Sequence, residues 1–308
     1  MGKQESAIGL IQLIQQAGFA IADTAVLAPR AAEYLPIPEA LHPKLRDFLL
    51  KSYPKGLFAH QSNAIESALN GSDVCLATAT ASGKSLVFMS LAIQRVLEDP
   101  GTKILVLYPA RALIQDQMSK WAEITGPFGL GVDFIDGTVH SDRRIGILKT
   151  HNIVLMTPDV LHAWMMRNLQ DPDIRGFVRK LRLVVLDEAH VYDGVFGTNT
   201  AYLLRRLAVI ANNFRLVCCT ATLGKPSDFV YQLTGRNVVT FGEEDDKSAS
   251  PGKTVLLLRP LLKDTFQCSV NLLTGIARAS IGRYIAFGDS RKGVEQLVPT
   301  YVIDYTEV

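Results

Sequence analysis

Cysteine is scarce in this 308-residue chain: only Cys75, Cys218, Cys219 and Cys268 are present, and no two make a Cys-x-x-Cys pair. That argues against a zinc site. Three of the four fall in apolar segments expected to be buried strands, where a thiol acts as a small apolar filler. The six histidines also lack metal-ligand spacing. No uninterrupted apolar run approaches the roughly 18 residues of a membrane span. The opening Met1-Gly2-Lys3-Gln4-Glu5-Ser6 lacks the layout of a secretory leader. Gly2 with Ser6 fits the loose myristoylation pattern, but patterns that short arise often by chance. A cytoplasmic location is the expectation. Charge of one sign is lacking too: 32 Lys and Arg against 30 Asp and Glu leave +2, too little to announce a nucleic-acid partner. Apolar residues, at 48%, are ample for a buried core. The length suits one large domain or two small ones.

From residue 57 to about 240 short β-branched runs alternate with amphipathic stretches. Strands are expected at 74–77, 104–108, 132–135, 153–156, 183–186, 216–219 and 238–241. Helices are expected at 61–69, 85–98, 110–123, 141–149, 158–168, 198–212 and 226–234. Such alternation builds a parallel sheet with helices on both faces. Pro158 and Pro226 suit a first helical turn, where the missing N–H costs nothing. Ahead of this, residues 5–17 form a weak amphipathic helix, read as packing at the domain edge. Residues 28–56 are punctuated by proline around a short helix near Leu45–Leu50. Gly242 to Gly252 is charged, small and polar, and reads as a linker. Beyond it come a strand at 254–258, a helix at 269–280, a strand at 284–287 and a helix from Ser290.

Two segments carry chemistry. Thr78-Ala79-Thr80-Ala81-Ser82-Gly83-Lys84-Ser85 joins the strand at 74–77 to the helix after it. A loop ending at a helix N-terminus points free N–H groups at an anion. Gly83 lets backbone approach a phosphate, Lys84 brings positive charge to the β- and γ-phosphates, and the Ser85 hydroxyl can ligate Mg²⁺. Thr78 stands where the general pattern wants glycine, and an ordinary Gly/Ser-rich turn is the alternative. Asp187 and Glu188 end the run Leu183-Val184-Val185-Leu186. In open parallel sheets ligands bind at the carboxyl ends of strands. Asp187 is therefore assigned to Mg²⁺ and Glu188 to the attacking water. A carboxylate pair on a turn is ordinarily just solvated. Its place downstream of a phosphate loop favours ATP hydrolysis.

Asp187-Glu188-Ala189-His190, with Thr220-Ala221-Thr222 after the next strand, resembles the superfamily-two helicases. Phe58-Ala59-His60-Gln61 resembles their adenine-reading glutamine motif. Tyr108-Pro109-Ala110-Arg111-Ala112-Leu113 resembles the first strand-contacting motif, and Asp136-Gly137-Thr138 and Met156-Thr157-Pro158-Asp159 resemble two more. Tyr284-Ile285-Ala286-Phe287 with Ser290-Arg291-Lys292 resembles the start of a second motor domain. Leu35-Pro36-Ile37-Pro38 running into Leu41-His42-Pro43, and Gly194-Val195-Phe196-Gly197, resemble the YprA-like branch, which includes the mitomycin-repair helicase and fungal RecQ-like relatives.

The resemblance implies a RecA-like P-loop α/β fold: a lead-in at 1–56, an ATP-binding domain at 57–241, a linker at 242–253 and an incomplete second RecA-like domain at 254–308. It implies ATP and Mg²⁺ as cofactors. Nucleotide contacts would come from Phe58, His60, Gln61, Thr80, Ala81, Ser82, Gly83, Lys84, Ser85, Asp187 and His190. Nucleic acid would meet Pro109, Arg111, Gly137, Thr138, Thr157 and Pro158, while Thr220 and Thr222 relay between the sites. The implied activity is 3′-to-5′ DNA unwinding in repair, on single-stranded or tailed DNA, with RNA left open. The late arginine motifs and the zinc domain of the branch are missing. A truncated ATP- or DNA-binding module is one alternative. Half of a split helicase completed by a second polypeptide is another, and an unrelated P-loop ATPase is a third.

Overall fold

A computed structural model of the chain describes residues 3–211, 213–279, 285–288, 290 and 294–295. These fall into two compact units, one of residues 1–29 with 251–308 and one of Arg30–Ser250. The segment expected as a single lead-in over 1–56 is thus divided between them.

In the first unit, helix α1 (Lys3–Gln16) leads into strand β1 (Phe19–Leu27), which the sequence reading missed. In the second unit, strand β2 (Tyr34–Leu35) precedes helix α2 (Pro43–Ser52) and pairs antiparallel with strand β3 (Leu57–Phe58). Helix α3 (Ala59–Leu69) follows, then strand β4 (Val74–Leu76) and helix α4 (Lys84–Glu98). Strand β5 (Lys103–Leu107) and helix α5 (Arg111–Thr125) come next, then strand β6 (Val132–Ile135), helix α6 (Ser141–Thr150) and strand β7 (Ile153–Met156).

The helix expected over 158–168 is shorter. A single α turn, α7 (Pro158–Val160), runs into a π turn at Leu161–Met165, and the helix stops there. Helix α8 (Pro172–Arg179) was not anticipated. The Asp171 carboxylate caps it by accepting from the amides of Asp173 and Ile174, and Pro172 opens its first turn. Strand β8 (Leu181–Leu186), helix α9 (Gly194–Ile210), strand β9 (Arg215–Cys219), helix α10 (Pro226–Thr234) and strand β10 (Val239–Phe241) complete the alternation.

β4 to β10 form one seven-stranded sheet in the order β10-β4-β9-β8-β5-β7-β6, with every pairing parallel. Alternate residues of each strand feed two separate cores. Leu105, Leu107, Val154, Val184 and Cys218 pack with residues of α6, α8, α9 and α10. Ile104, Val106, Leu155, Val185 and Cys219 pack on the opposite face with residues of α2, α3, α4 and α5. A strand covered on both faces must be apolar at every position. That is why the β-branched runs were readable.

The segment read as a linker does not behave as one up to Ser250. Asp246 and Ser248 are buried within the second unit, and Ser250 forms an antiparallel bridge with Arg30.

In the first unit, strand β11 (Lys253–Pro260) pairs antiparallel with β1, from Phe19 opposite Pro260 to Leu27 opposite Lys253. Helix α11 (Thr265–Arg278) packs beside α1. Ile14, Ala17, Phe19 and Cys268 make a small core there, so α1, expected as part of the sheet domain's edge, belongs to this unit. Of the strand expected at 284–287, residues 285–287 carry no strand, and Tyr284 lies outside the described residues, as do Arg291 and Lys292. No helix among the described residues is long and apolar enough to cross a membrane.

Candidate nucleotide site and nucleic-acid face

Three neighbouring strands bring the ATP residues together. Leu76, Cys219 and Leu186 end β4, β9 and β8 at nearly the same level. The loop from Thr78, the segment Thr220–Thr222 and Asp187–Glu188 therefore leave the sheet side by side.

The phosphate loop is held from several directions. Gly83 has φ +82°, and a Cβ there would collide with the Gln61 amide. Ala81 is also left-handed, with φ +65°. The Thr78 and Ser82 hydroxyls share a hydrogen bond of 2.7 Å. Lys84 Nζ donates to the carbonyls of Thr78 and Ala79 at 2.8 and 3.0 Å. Its ammonium thus lies across the loop that would receive phosphates. Thr80 and Ala81 are exposed on the loop's outer side.

The glutamine segment reaches this loop directly. Gln61 Oε1 accepts from the Phe58 amide at 3.0 Å, closing the N-terminus of α3, and Gln61 Nε2 donates to the Gly83 carbonyl at 2.9 Å. Both ends of the side chain thereby have a protein partner. His60 Nε2 meets the Ser82 carbonyl at 3.0 Å, and its Nδ1 meets the Lys247 amide at 3.3 Å. Those two backbone groups together require the neutral imidazole with its proton on Nε2. Phe58 stacks on Tyr34 with centroids 5.3 Å apart, presenting an aromatic pair at the same edge.

Asp187 is buried, and its carboxyl is pushed up to about 6. Burial is the main cause and the charge of Glu188 the second, while the Glu188 amide, Lys84 and Lys120 pull it down. A buried carboxylate short of positive charge fits a divalent cation, and Ser85 and Asp187 are the side chains that would hold Mg²⁺ beside bound phosphates. Glu188 sits in the left-handed region at φ +49°, a conformation that costs energy in a non-glycine residue. The turn is steadied by the Glu188 amide donating to Asp187 Oδ1 at 2.9 Å.

His190 connects the acidic turn to the neighbouring strand. The Ala221 amide donates to His190 Nδ1 at 3.3 Å, and the same nitrogen lies 3.4 Å from Glu188 Oε2. One nitrogen can accept from Ala221 or donate to Glu188, not both at once. Thr220 is fully buried and its hydroxyl has no hydrogen-bond partner, whereas Thr222 is exposed.

The other half of the sheet carries the nucleic-acid candidates. β5, β7 and β6 are adjacent and end level at Leu107, Met156 and Ile135. Arg111 Nε donates to Asp136 Oδ2 at 3.0 Å, and Asp136 Oδ1 accepts from the amide and hydroxyl of Thr138. Burial would raise the Asp136 carboxyl, but Thr138 and then Arg111 hold it below the ordinary range. Arg144 donates to the carbonyls of Asp136 and Val139 and lies over the Trp164 ring, 5.3 Å from its centroid. Arg111, Gly137 and Thr138 are thus grouped and exposed, and Pro109 is half-buried beside them. Thr157 and Pro158 are buried, and α7 is too short to offer a helix N-terminus.

The sequence reading missed Tyr34, Lys247 and Asp246. Asp246 lay inside an acidic run that composition assigns to solvent.

A parallel sheet with a phosphate loop after one strand and an acid pair after another two places away defines a P-loop protein of RecA-like fold. A DEAD/DEAH box helicase family model matches residues 58–229, and the chain belongs to that family. It is 34% identical over 256 residues to the uncharacterized ATP-dependent helicase MJ1574 of Methanocaldococcus jannaschii, covering 79% of this chain and 36% of that protein. It is 32% identical to the ATP-dependent helicase HRQ1 of Saccharomyces cerevisiae, over 68% of this chain and 20% of that one. With the uncharacterized ATP-dependent helicase YprA of Bacillus subtilis it shares 30% identity, over 74% of this chain and 30% of that one. Among solved structures, the DUF1998 helicase MrfA bound to DNA and AMPPNP superposes with a TM-score of 0.84 at 26% identity, covering 94% of this chain and 42% of that one. The chain therefore spans between 20% and 36% of the length of these curated relatives.

Proposed function

We propose that this chain is the ATP-hydrolysing motor part of a DNA helicase, with 3′-to-5′ unwinding in repair as the activity of the enzyme to which it corresponds. The observation that carries this is the division of one sheet. Strands β4, β9 and β8 present the nucleotide residues, while the adjoining β5, β7 and β6 present Arg111, Gly137 and Thr138. The two groups meet where the Asp187 amide donates to the Leu107 carbonyl at 3.0 Å, between β8 and β5. Similarity to a helicase solved with DNA and AMPPNP supports the same reading.

Lys84 would exchange its carbonyl partners for the β- and γ-phosphates. Bound Mg²⁺, held by Ser85 and Asp187, would neutralise phosphate charge. Glu188 would take the proton of the attacking water. His190, which reaches both Glu188 and Ala221, is placed to pass a change at the acid to the strand carrying Thr220. Arg111 and Thr138 would bind backbone phosphates of a single strand, which positions DNA without reading its sequence.

The test is a pair of substitutions. Lys84→Ala should abolish ATP binding, whereas Glu188→Gln should bind ATP normally and lose about 10²–10⁴-fold in hydrolysis, the usual worth of a general base. A Glu188→Gln enzyme turning over at the wild-type rate would remove Glu188 from this role.

A further inference from the structure

Asp246 is a wholly buried carboxylate in a segment that no motif covers. Burying a charge is costly unless it is paired and hydrogen-bonded, and this one is fully supplied. Its Oδ1 accepts from the amide and hydroxyl of Ser248 at 2.9 and 2.7 Å and lies 3.0 Å from Arg30 Nη2. Its Oδ2 accepts from the Ala79 amide of the phosphate loop at 3.2 Å. The neighbouring residue takes a second grip: the Lys247 amide donates to His60 Nδ1, and His60 Nε2 donates to the Ser82 carbonyl.

These contacts converge on the nucleotide chemistry. The Ala79 N–H and the Thr78 carbonyl belong to one peptide group. Asp246 holds its donor end, and Lys84 Nζ holds its acceptor end at 2.8 Å. Hydrogen bonds at opposite ends of a peptide polarise one another, so the carboxylate strengthens the seat of the lysine. We propose, building on the nucleotide-site reading above, that Asp246 is a positioning residue for ATP: it fixes the Thr78–Ala79 peptide and, with Lys247 acting through His60, sets the loop shape that delivers Lys84 to the phosphates. The segment after β10 is then part of the nucleotide site.

Arg30 separates positioning from plain stability. Its side chain pairs with Asp246 and with the Ser248 carbonyl and hydroxyl, not with the phosphate loop. Binding of fluorescent N-methylanthraniloyl-ADP with Mg²⁺ should be measured on the whole chain, alongside thermal unfolding. Asp246→Ala should weaken the nucleotide about tenfold, as expected for losing a charge-assisted hydrogen bond. Asp246→Asn keeps an acceptor for the Ala79 amide and should lose only roughly threefold. Arg30→Met should lower the melting temperature and leave nucleotide affinity unchanged.

Wild-type affinity in folded Asp246→Ala overturns the inference, as does a loss in Arg30→Met equal to that in Asp246→Ala. Should Asp246→Ala not fold, Asp246→Asn decides, and wild-type affinity there is equally fatal. If the wild-type chain binds no nucleotide, or Lys84→Ala binds it as well as wild type, the nucleotide-site reading itself fails and this inference falls with it.

Discussion

His60 shows how many constraints one buried side chain can carry. Its ring is buried against Ser82 and Lys247, and its pKa is held below the ordinary 6.5. Burial is the largest cause. Asp246 and the Ser82 carbonyl oppose it, while Arg30 and Lys84 add to it. A depressed folded-state pKa means that the unfolded chain takes up the proton first. The stabilisation is complete above pH 6.5 and is lost as pH falls from there through the folded-state value. Stability should fall on acidification with a contribution of at most about 1.4 kcal/mol per pH unit from this residue. Urea titrations between pH 7.5 and 5 should show that slope reduced in His60→Gln. A wild-type His60 ring that titrates above its ordinary value by NMR would contradict the assignment. From sequence, His60 was readable as a member of a motif. Its tautomer was not, because the Lys247 amide that sets it comes from far along the chain.

At the scale of elements, legibility followed burial. The central runs of β4, β5, β7, β8 and β9 are apolar because both faces are covered, so each was found within a residue or two. β1 escaped because seven of its nine residues are exposed and only partner pairing with β11 keeps it extended. α8 escaped because its helical signal lies in a cap and a proline within one short turn-rich stretch. α9 starts earlier than expected, at Gly194, where the Asp193 carboxylate accepts from the Gly194 amide at 2.7 Å. Its first turn is tightly bound to the acidic segment: a Cβ at Gly197 would run into the Tyr192 carbonyl. Gly197→Ala should therefore force backbone apart and cost about 1–3 kcal/mol, as overpacking does. For a unit of this size each 1 kcal/mol lowers the melting temperature by about 2–4 °C. Thermal unfolding of Gly197→Ala beside the control Gly224→Ala, where a Cβ meets nothing within 4 Å, measures it. Equal melting temperatures would show that the α9 turn can relax.

At the scale of the whole molecule, order along the chain and order in the sheet differ, and that difference makes the site. Motifs ahead of residue 100 and near residue 190 reach one edge because β4 and β8 stand only two places apart in the sheet, with β9 between them. The sequence reading could place each motif after a strand, but only the parallel register shows that all of them end level. The boundaries were the least legible feature: residues 19–27 pair with 253–260, a long-range ladder with little local signal. Asp246 and Ser248 are buried where the charge of their segment predicted a solvated linker, while Glu243, Glu244 and Asp245 stay exposed. Every nucleotide and nucleic-acid candidate lies between Arg30 and Ser250, and the two large cores lie there as well. A polypeptide of residues 30–250 should accordingly fold alone, unfold cooperatively and bind ADP within about threefold of the whole chain, since it retains Gln61, His60, Asp246 and Lys247, which hold the phosphate loop. It should also keep salt-dependent binding of single-stranded DNA, with affinity falling steeply as salt rises because phosphate contacts release counterions. A shorter polypeptide of residues 30–241 lacks Asp246 and Lys247 and should bind ADP more weakly. If 30–250 is folded but binds neither ligand while the whole chain binds both, residues 1–29 or 251–308 must complete the site.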